Sequence, residues 1–149
     1  MADRRRHVGA RLLPGVVLTV LALSAPPAVA VDAAGPRGNY MLQCMGCHLL
    51  DGSGMAGKVP DMRGIIGKFQ YVEGGREFLG RVPGVAQAPI DDAKLTDVLN
   101  WTVRNFADPA DRARFKPYTV DEVARLRRQP LTDITNTRAR LVEKLPAGQ

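Results

Sequence analysis

The chain contains few of the residues that commonly stabilise a small domain. Aromatic residues are only 5% of its 149 residues, so they supply little of the large apolar surface that usually fills a core. Two cysteines are too few for a disulfide framework, and a structural zinc site needs about four ligands. The only histidines are His7 and His48. These absences indicate a core that is completed by something other than disulfides or zinc.

Dense clusters of like charge are also missing beyond the first thirty residues. The formal charge is +6, of which residues 1–30 contribute +3 through four arginines and one aspartate. The remaining 119 residues have 17 basic and 14 acidic side chains, spread along the chain. Such a distribution does not indicate nucleic-acid binding, and we expect no nucleic-acid partner. It suits a protein partner with an acidic docking patch.

Residues 1–30 have the pattern of a secretory signal peptide. Arginines at positions 4, 5, 6 and 11 precede the apolar stretch 12–23, and Ala28-Val29-Ala30 is a small-residue cleavage site. The apolar stretch is short for a membrane span of roughly 20 residues, and no other segment is a candidate. We therefore expect cleavage near Val31, a periplasmic protein, and no stable membrane span afterwards.

The run Cys44-Met45-Gly46-Cys47-His48 is the attachment pattern of c-type haem. Two thiols at this spacing add to the two vinyl groups of one porphyrin, and the next residue places its imidazole against the iron. A thioredoxin-like site would instead follow a strand in a βαβ pattern, which is not present here. The motif predicts one covalent haem c per chain, with His48 as the proximal iron ligand.

The remaining pattern predicts an all-α fold with long loops wrapped around that haem. A helix is expected to end at about residues 39–45, and a short one to cover residues 73–79. Asp91-Asp92 is a helix start, followed by apolar residues at helical spacing up to Phe106. Glycine and proline predict loops over residues 49–59 and 81–89. No strand pattern and no internal repeat stand out.

Residues 108–149 are predicted to be a charged helical extension of a domain that covers residues 31–107. A capping box at Thr119–Glu122 opens a short helix that Pro130 ends, and Thr132 or Asp133 caps a last helix. The extension is either an arm that docks a partner or a segment that packs on its own domain, as terminal helices with one apolar stripe usually do.

Residues 36–107 resemble a class I, monohaem cytochrome c. In that family an aromatic residue four positions before the first cysteine, here Tyr40, crosses an aromatic of the final helix, here matched by Trp101. The resemblance implies that the carbonyl of Pro60, twelve residues after His48, orients the histidine ring. It also implies that Lys68 meets a haem propionate, as a point charge.

The resemblance ends at the distal iron ligand. The family carries a methionine in a loop before its last helix, and the matching residues 81–89 contain none. Four alternatives stay open at this point: Met62, Met55, the amide oxygen of Gln87, or an iron with water, no ligand or a partner's ligand on its distal side. Met62 is the distal candidate that we name, although it also suits a core position.

The resemblance implies an electron carrier rather than an enzyme. The first hypothesis is a periplasmic cytochrome that transfers single electrons from a dehydrogenase, either as a separate protein or as its subunit, to a respiratory acceptor. The alternative is a haem protein with an open distal iron that binds a small ligand such as NO, CO or peroxide. A haem that serves only as a folding core is a third hypothesis.

Overall fold

The computed structural model describes residues 35–146, whose regular secondary structure is helical. The predicted signal peptide lies outside them. Their helices are α1 (Gly35–Gln43), α2 (Met45–His48), a 3₁₀ helix (Ile66–Tyr71), α3 (Gly75–Arg81), α4 (Pro83–Ala86), α5 (Asp92–Phe106), α6 (Pro109–Arg114), α7 (Val120–Arg127) and α8 (Ile134–Val142). The only β pairing among them is an isolated bridge between Met55 and Val59. The all-α prediction is confirmed.

Helix α5 is the longest helix of the described residues and the centre of their packing. It begins where predicted, since the Asp91 carboxylate accepts a hydrogen bond from the Lys94 N–H at 2.8 Å and caps the first turn. Its buried face carries Leu95, Thr96, Val98, Leu99, Thr102 and Val103. Helix α1 and helix α7 both pack against it. None of the described helices has the length and apolar character needed to cross a membrane.

Helix α1 crosses α5 through a group of three aromatic rings. Tyr40 is fully buried, and its ring centroid lies 5.1 Å from that of Trp101 and 5.4 Å from that of Phe106. The Tyr40 hydroxyl donates a hydrogen bond to the Leu49 carbonyl at 2.7 Å, just after the Cys44–His48 motif. The predicted aromatic crossing is therefore present, and it fixes the position of the motif relative to α5.

The C-terminal extension packs on the rest of the described chain. Tyr118, Val123 and Leu126 are buried with Leu95 and Leu99 of α5. The Thr119 hydroxyl accepts from the Glu122 N–H at 3.2 Å, as the capping box predicts. Farther along, Asp133 caps α8, and Leu141 is buried against Phe69 and Phe78. Residues 108–146 thus contribute to the core, while the boundary at residue 107 stays a prediction.

Three short helices lie where the sequence predicted irregular chain or left the structure open. They are the 3₁₀ helix at Ile66–Tyr71, α4 at Pro83–Ala86 and α6 at Pro109–Arg114. Both α4 and α6 begin with a proline, whose fixed φ suits the first helical position. Elements of one or two turns are too short to produce a periodic apolar pattern, so the sequence does not reveal them.

Candidate haem-binding site

The Cys44–His48 motif forms one tight helical turn at the end of α1. The Cys44 N–H donates to the Tyr40 carbonyl at 2.8 Å, and the His48 N–H donates to the Cys44 carbonyl at 3.0 Å. Leu49 then adopts a φ of 56°, which ends the turn. Because Cys44, Cys47 and His48 share this turn, all three reach one cavity. Cys44 and Cys47 are not joined in a disulfide; Cys44 is half-buried and Cys47 is exposed.

The cavity has a volume of about 360 Å³, within the ~300–1,000 Å³ usual for cofactor sites. Most of its lining is apolar. Helix α5 contributes Leu95, Val98, Leu99 and Thr102; the segment before it contributes Val82, Pro83, Gly84, Val85, Ala88 and Ile90; and Ile65, Ile66, Phe69, Phe78 and Leu79 form a further wall. A flat apolar macrocycle attached to two thiols fits such a lining.

His48 is the one histidine at this cavity and has the properties of an iron ligand. Its Nδ1 atom is buried and has no hydrogen-bond partner of good geometry. Burial lowers the His48 pKa, while the backbone of Pro60, which has only a carbonyl to offer, acts in the opposite direction. The contact between His48 and Pro60 is therefore a loose one. An imidazole held neutral in this way keeps a nitrogen lone pair for a metal.

The loop at residues 49–59, which contains three glycines, brings Pro60 toward His48. The Gly54 N–H donates to the His48 carbonyl at 3.2 Å, which ties the loop to the motif. Gly54 has a φ of +70°, and a Cβ there would lie 2.6 Å from the Pro60 carbonyl oxygen. Only glycine therefore allows this close approach. The loop serves as a spacer that sets the distance between the histidine and its predicted orienting carbonyl.

The predicted cofactor and ligand residues divide into two groups. Cys44, Cys47, His48, Pro60 and Met62 all line the cavity. The structure does not bring Lys68, Met55 or Gln87 to its lining, and Met55 and Gln87 are exposed. The propionate contact proposed for Lys68 and the identity of the distal ligand stay predictions.

Arg138, which was not among the residues predicted from the sequence, lines the cavity from α8 together with Ile134. Arg138 forms no ion pair with any described residue, so its guanidinium is available to the carboxylates of a porphyrin. The available signal was weak: Ile134, Arg138 and Leu141 lie on one face of the last helix at positions i, i+4 and i+7.

Burial also controls the chemistry of the first cysteine. Burial is the larger cause and the neighbouring Cys47 the smaller cause that together raise the pKa of Cys44 to about 11.

The described residues contain no group of three or more His, Cys, Asp or Glu side chains that could hold a metal ion. A porphyrin iron needs no such group, since it takes only one or two ligands from the protein. The residues of the cavity fit haem c.

Comparison with known proteins agrees with this chemistry. No family model matches the chain, and no solved structure matches it. Two curated relatives do: a cytochrome c-552 of Thermus thermophilus and a cytochrome c-552 from an individual strain of that species. Each is 32% identical over 108 residues and covers 60% of this chain. The match covers 82% of the first relative and 73% of the second. The chain therefore belongs to the c-type cytochromes, electron-transfer proteins that bind haem covalently.

Proposed function

We propose that this protein carries single electrons in the periplasm, from a dehydrogenase to a respiratory acceptor, through one haem c per chain. The observation that carries the proposal is the placement of Cys44, Cys47 and His48 on one helical turn facing one apolar cavity. Bound haem supplies an iron that changes its charge by one unit without gaining or losing atoms.

Each residue of the site has a distinct part in this proposal. Cys44 and Cys47 would hold the porphyrin covalently, and His48 would bind its iron. Pro60 orients the His48 ring. The apolar side chains that line the cavity would keep water from the cofactor. Little water would then have to rearrange when the charge of the iron changes. Arg138 supplements or replaces Lys68 as the cation near the propionates.

The surface beside Cys47 supports docking of a redox partner. Leu42, Leu49 and Leu50, which flank the attachment motif in the sequence, are 73%, 42% and 48% exposed. The nearby Arg63 is neutralised by ion pairs with Asp51 and Asp61. We infer that the partner contacts this edge through apolar side chains more than through charge, so salt should slow their electron exchange only weakly.

Redox titration of the purified haem-loaded chain tests the carrier proposal. We expect a reversible one-electron transition and a haem that organic solvent does not extract. A double variant, Cys44→Ala with Cys47→Ala, should lose the covalent haem. A haem that dissociates freely from the unaltered chain, or that cannot be reduced and reoxidised without loss, would contradict the proposal.

Cell fractionation tests the location. We expect the mature protein in the periplasmic fraction, with an N-terminus at or near Val31 on protein sequencing. Recovery of the full-length chain, with its first thirty residues intact, from the cytoplasmic fraction would refute this part of the proposal. Reduction of the purified protein by a dehydrogenase from the same fraction, tested with and without added salt, identifies the donor class.

A further inference from the structure

The cavity lining offers few side-chain atoms that can bind iron. Cys44 and Cys47 are used for covalent attachment, which leaves His48 as one axial ligand. Three oxygen-bearing side chains of the lining are occupied: the Tyr40 hydroxyl by the Leu49 carbonyl, the Thr102 hydroxyl by the Val98 carbonyl, and the Asp61 carboxylate by Arg63. Gln43 directly precedes Cys44 and so belongs to the attachment side of the cavity. The Met62 thioether is the remaining candidate.

Met62 lies at the same end of the cavity as the proximal histidine. It packs against Val103 and Ala107, at the C-terminal end of α5. It also follows Pro60, the residue whose backbone acts on His48, by two positions. A ligand opposite His48 would have to come from the other side of the porphyrin plane.

The wall formed by residues 82–90 lies at the other end of α5. Its residues Val85, Ala88 and Ile90 pack with Leu95 and Leu99. Leu95 and Val103 are eight residues apart, or about 12 Å along a helix axis. None of the lining residues of this wall has a side chain that binds iron, and Gln87 is exposed and outside the lining.

Arg127 holds this wall in place and uses its own donors to do so. Its guanidinium donates to the carbonyls of Ala86, Ala88 and Ile90 at 3.2, 2.6 and 2.8 Å, and to the Asp92 carboxylate at 2.8 Å. The wall therefore presents alkyl side chains to the cavity.

We propose that His48 is the only axial ligand from the described chain, and that the wall at residues 82–90 leaves room for a small neutral ligand, such as CO or NO, on the other side of the porphyrin. Alkyl side chains favour a neutral ligand, since they offer an anion neither a charge nor a side-chain donor. Peroxide chemistry is disfavoured because the wall carries no side chain that can act as a general base.

Optical titration of the haem-loaded, chemically reduced protein with CO tests this inference. Two leucine variants serve as a matched pair at the two ends of the cavity. Met62→Leu removes the sulfur while keeping an apolar side chain. Gly84→Leu adds bulk to the wall at a position where a Cβ would meet no atom within 4 Å and where φ is not positive. We expect a saturable spectral shift in the unaltered chain, CO binding within about twofold of it in Met62→Leu, and several-fold slower CO association in Gly84→Leu.

Four results would overturn the inference. The first is an unaltered chain that ignores CO while Met62→Leu responds, which makes Met62 the distal ligand. The second is no response to CO from either the unaltered chain or Met62→Leu. The third is a Gly84→Leu rate equal to that of the unaltered chain, which places any bound ligand elsewhere. The long-wavelength band of a sulfur ligand in the oxidised, unaltered protein would also refute the inference, even if a variant fails to fold. The covalent haem content, measured in parallel, reports on the carrier proposal independently.

Discussion

At the scale of single residues, Gly54 determines how closely the loop after the haem motif can approach Pro60. The neighbouring Gly57 has nearly the same backbone conformation, with φ of +72° against +70°, but open space where a Cβ would lie. The two glycines differ in what surrounds them rather than in their backbone. They therefore separate the cost of a left-handed backbone from the cost of a clash.

We expect Gly57→Ala to lower the free energy of unfolding by about 1 kcal/mol, the cost of a left-handed conformation for a side chain. Gly54→Ala should cost about 3 kcal/mol or more, because its Cβ would also clash with the carbonyl oxygens of Val59 and Pro60. Denaturant unfolding of the two haem-loaded variants measures the difference. Equal losses would mean that the loop moves away from the added methyl group without cost.

Asp91 makes a pH-dependent contribution at the start of α5. The hydrogen bond from the Lys94 N–H, with the Lys94 charge, lowers the Asp91 pKa below its unfolded value of 3.8. The stabilisation is therefore complete above the unfolded pKa and is lost as the pH falls through the lower folded pKa. Asn is an equally good cap without a charge, so Asp91→Asn isolates this effect.

The melting temperature of the unaltered chain should exceed that of Asp91→Asn at about pH 7 and lose this advantage toward about pH 3. The difference at neutral pH should also shrink with added salt, because Asp91 and Lys94 form an exposed ion pair at 3.5 Å. Thermal melts of both chains across this pH range provide the measurement. A difference that does not change with pH would show that the carboxylate charge plays no part.

At the scale of secondary-structure elements, α7 supports the cofactor cavity from a distance. Its Arg127 reaches the backbone of residues 86–90, and Glu122 on the same helix pairs with Arg76 of α3. Arg76 in turn lies over the Tyr118 ring, 3.8 Å from the centroid. Helix α7 is thus connected to residues 86–90 through Arg127 and to α3 through Arg76.

Arg127→Met should lower the free energy of unfolding by about 2–4 kcal/mol, because three backbone carbonyls and one carboxylate lose a charged donor. The free energy of unfolding of Arg127→Lys should lie between those of Arg127→Met and the unaltered chain, since one ammonium cannot reach all four acceptors. Arg125→Met, an exposed position on the same helix, is the matched control and should change stability by less than about 0.5 kcal/mol. Denaturant unfolding compares the three, and equal stability of Arg127→Met and Arg125→Met would contradict the role given to the Arg127 contacts.

The elements that the sequence predicted are those whose causes are local. A carboxylate cap and a periodic apolar face define α5, a capping box defines α7, and the attachment chemistry defines the Cys44–His48 turn. What the sequence missed depends on contacts between distant residues. Arg127 reaches carbonyls about forty positions earlier in the chain, and Arg138 joins a cavity whose motif lies ninety positions earlier. No local pattern encodes such contacts, because they exist only once the helices have packed.

At the scale of the whole molecule, the C-terminal extension is part of the core, and truncation should show this. A chain that ends at Ala107 lacks Tyr118, Val123 and Leu126, which complete the packing of α5, and we expect it not to fold. A chain that ends at Gln129 keeps these three residues but lacks Leu141, which packs against Phe69 and Phe78. It should therefore fold with about 2–5 kcal/mol less stability. Limited proteolysis and circular dichroism distinguish the two, and a stable fragment ending at Ala107 would restore the view of the extension as a separate arm.

The position of the attachment motif near one end of the described chain has a consequence for biogenesis. Cys44, Cys47 and His48 lie about ninety positions before Ile134 and Arg138, although all five residues line the same cavity. Contacts across so many intervening residues form slowly, so the cavity is completed late in folding. Two covalent bonds would keep the porphyrin with its own chain until α5 and α8 have packed to enclose it.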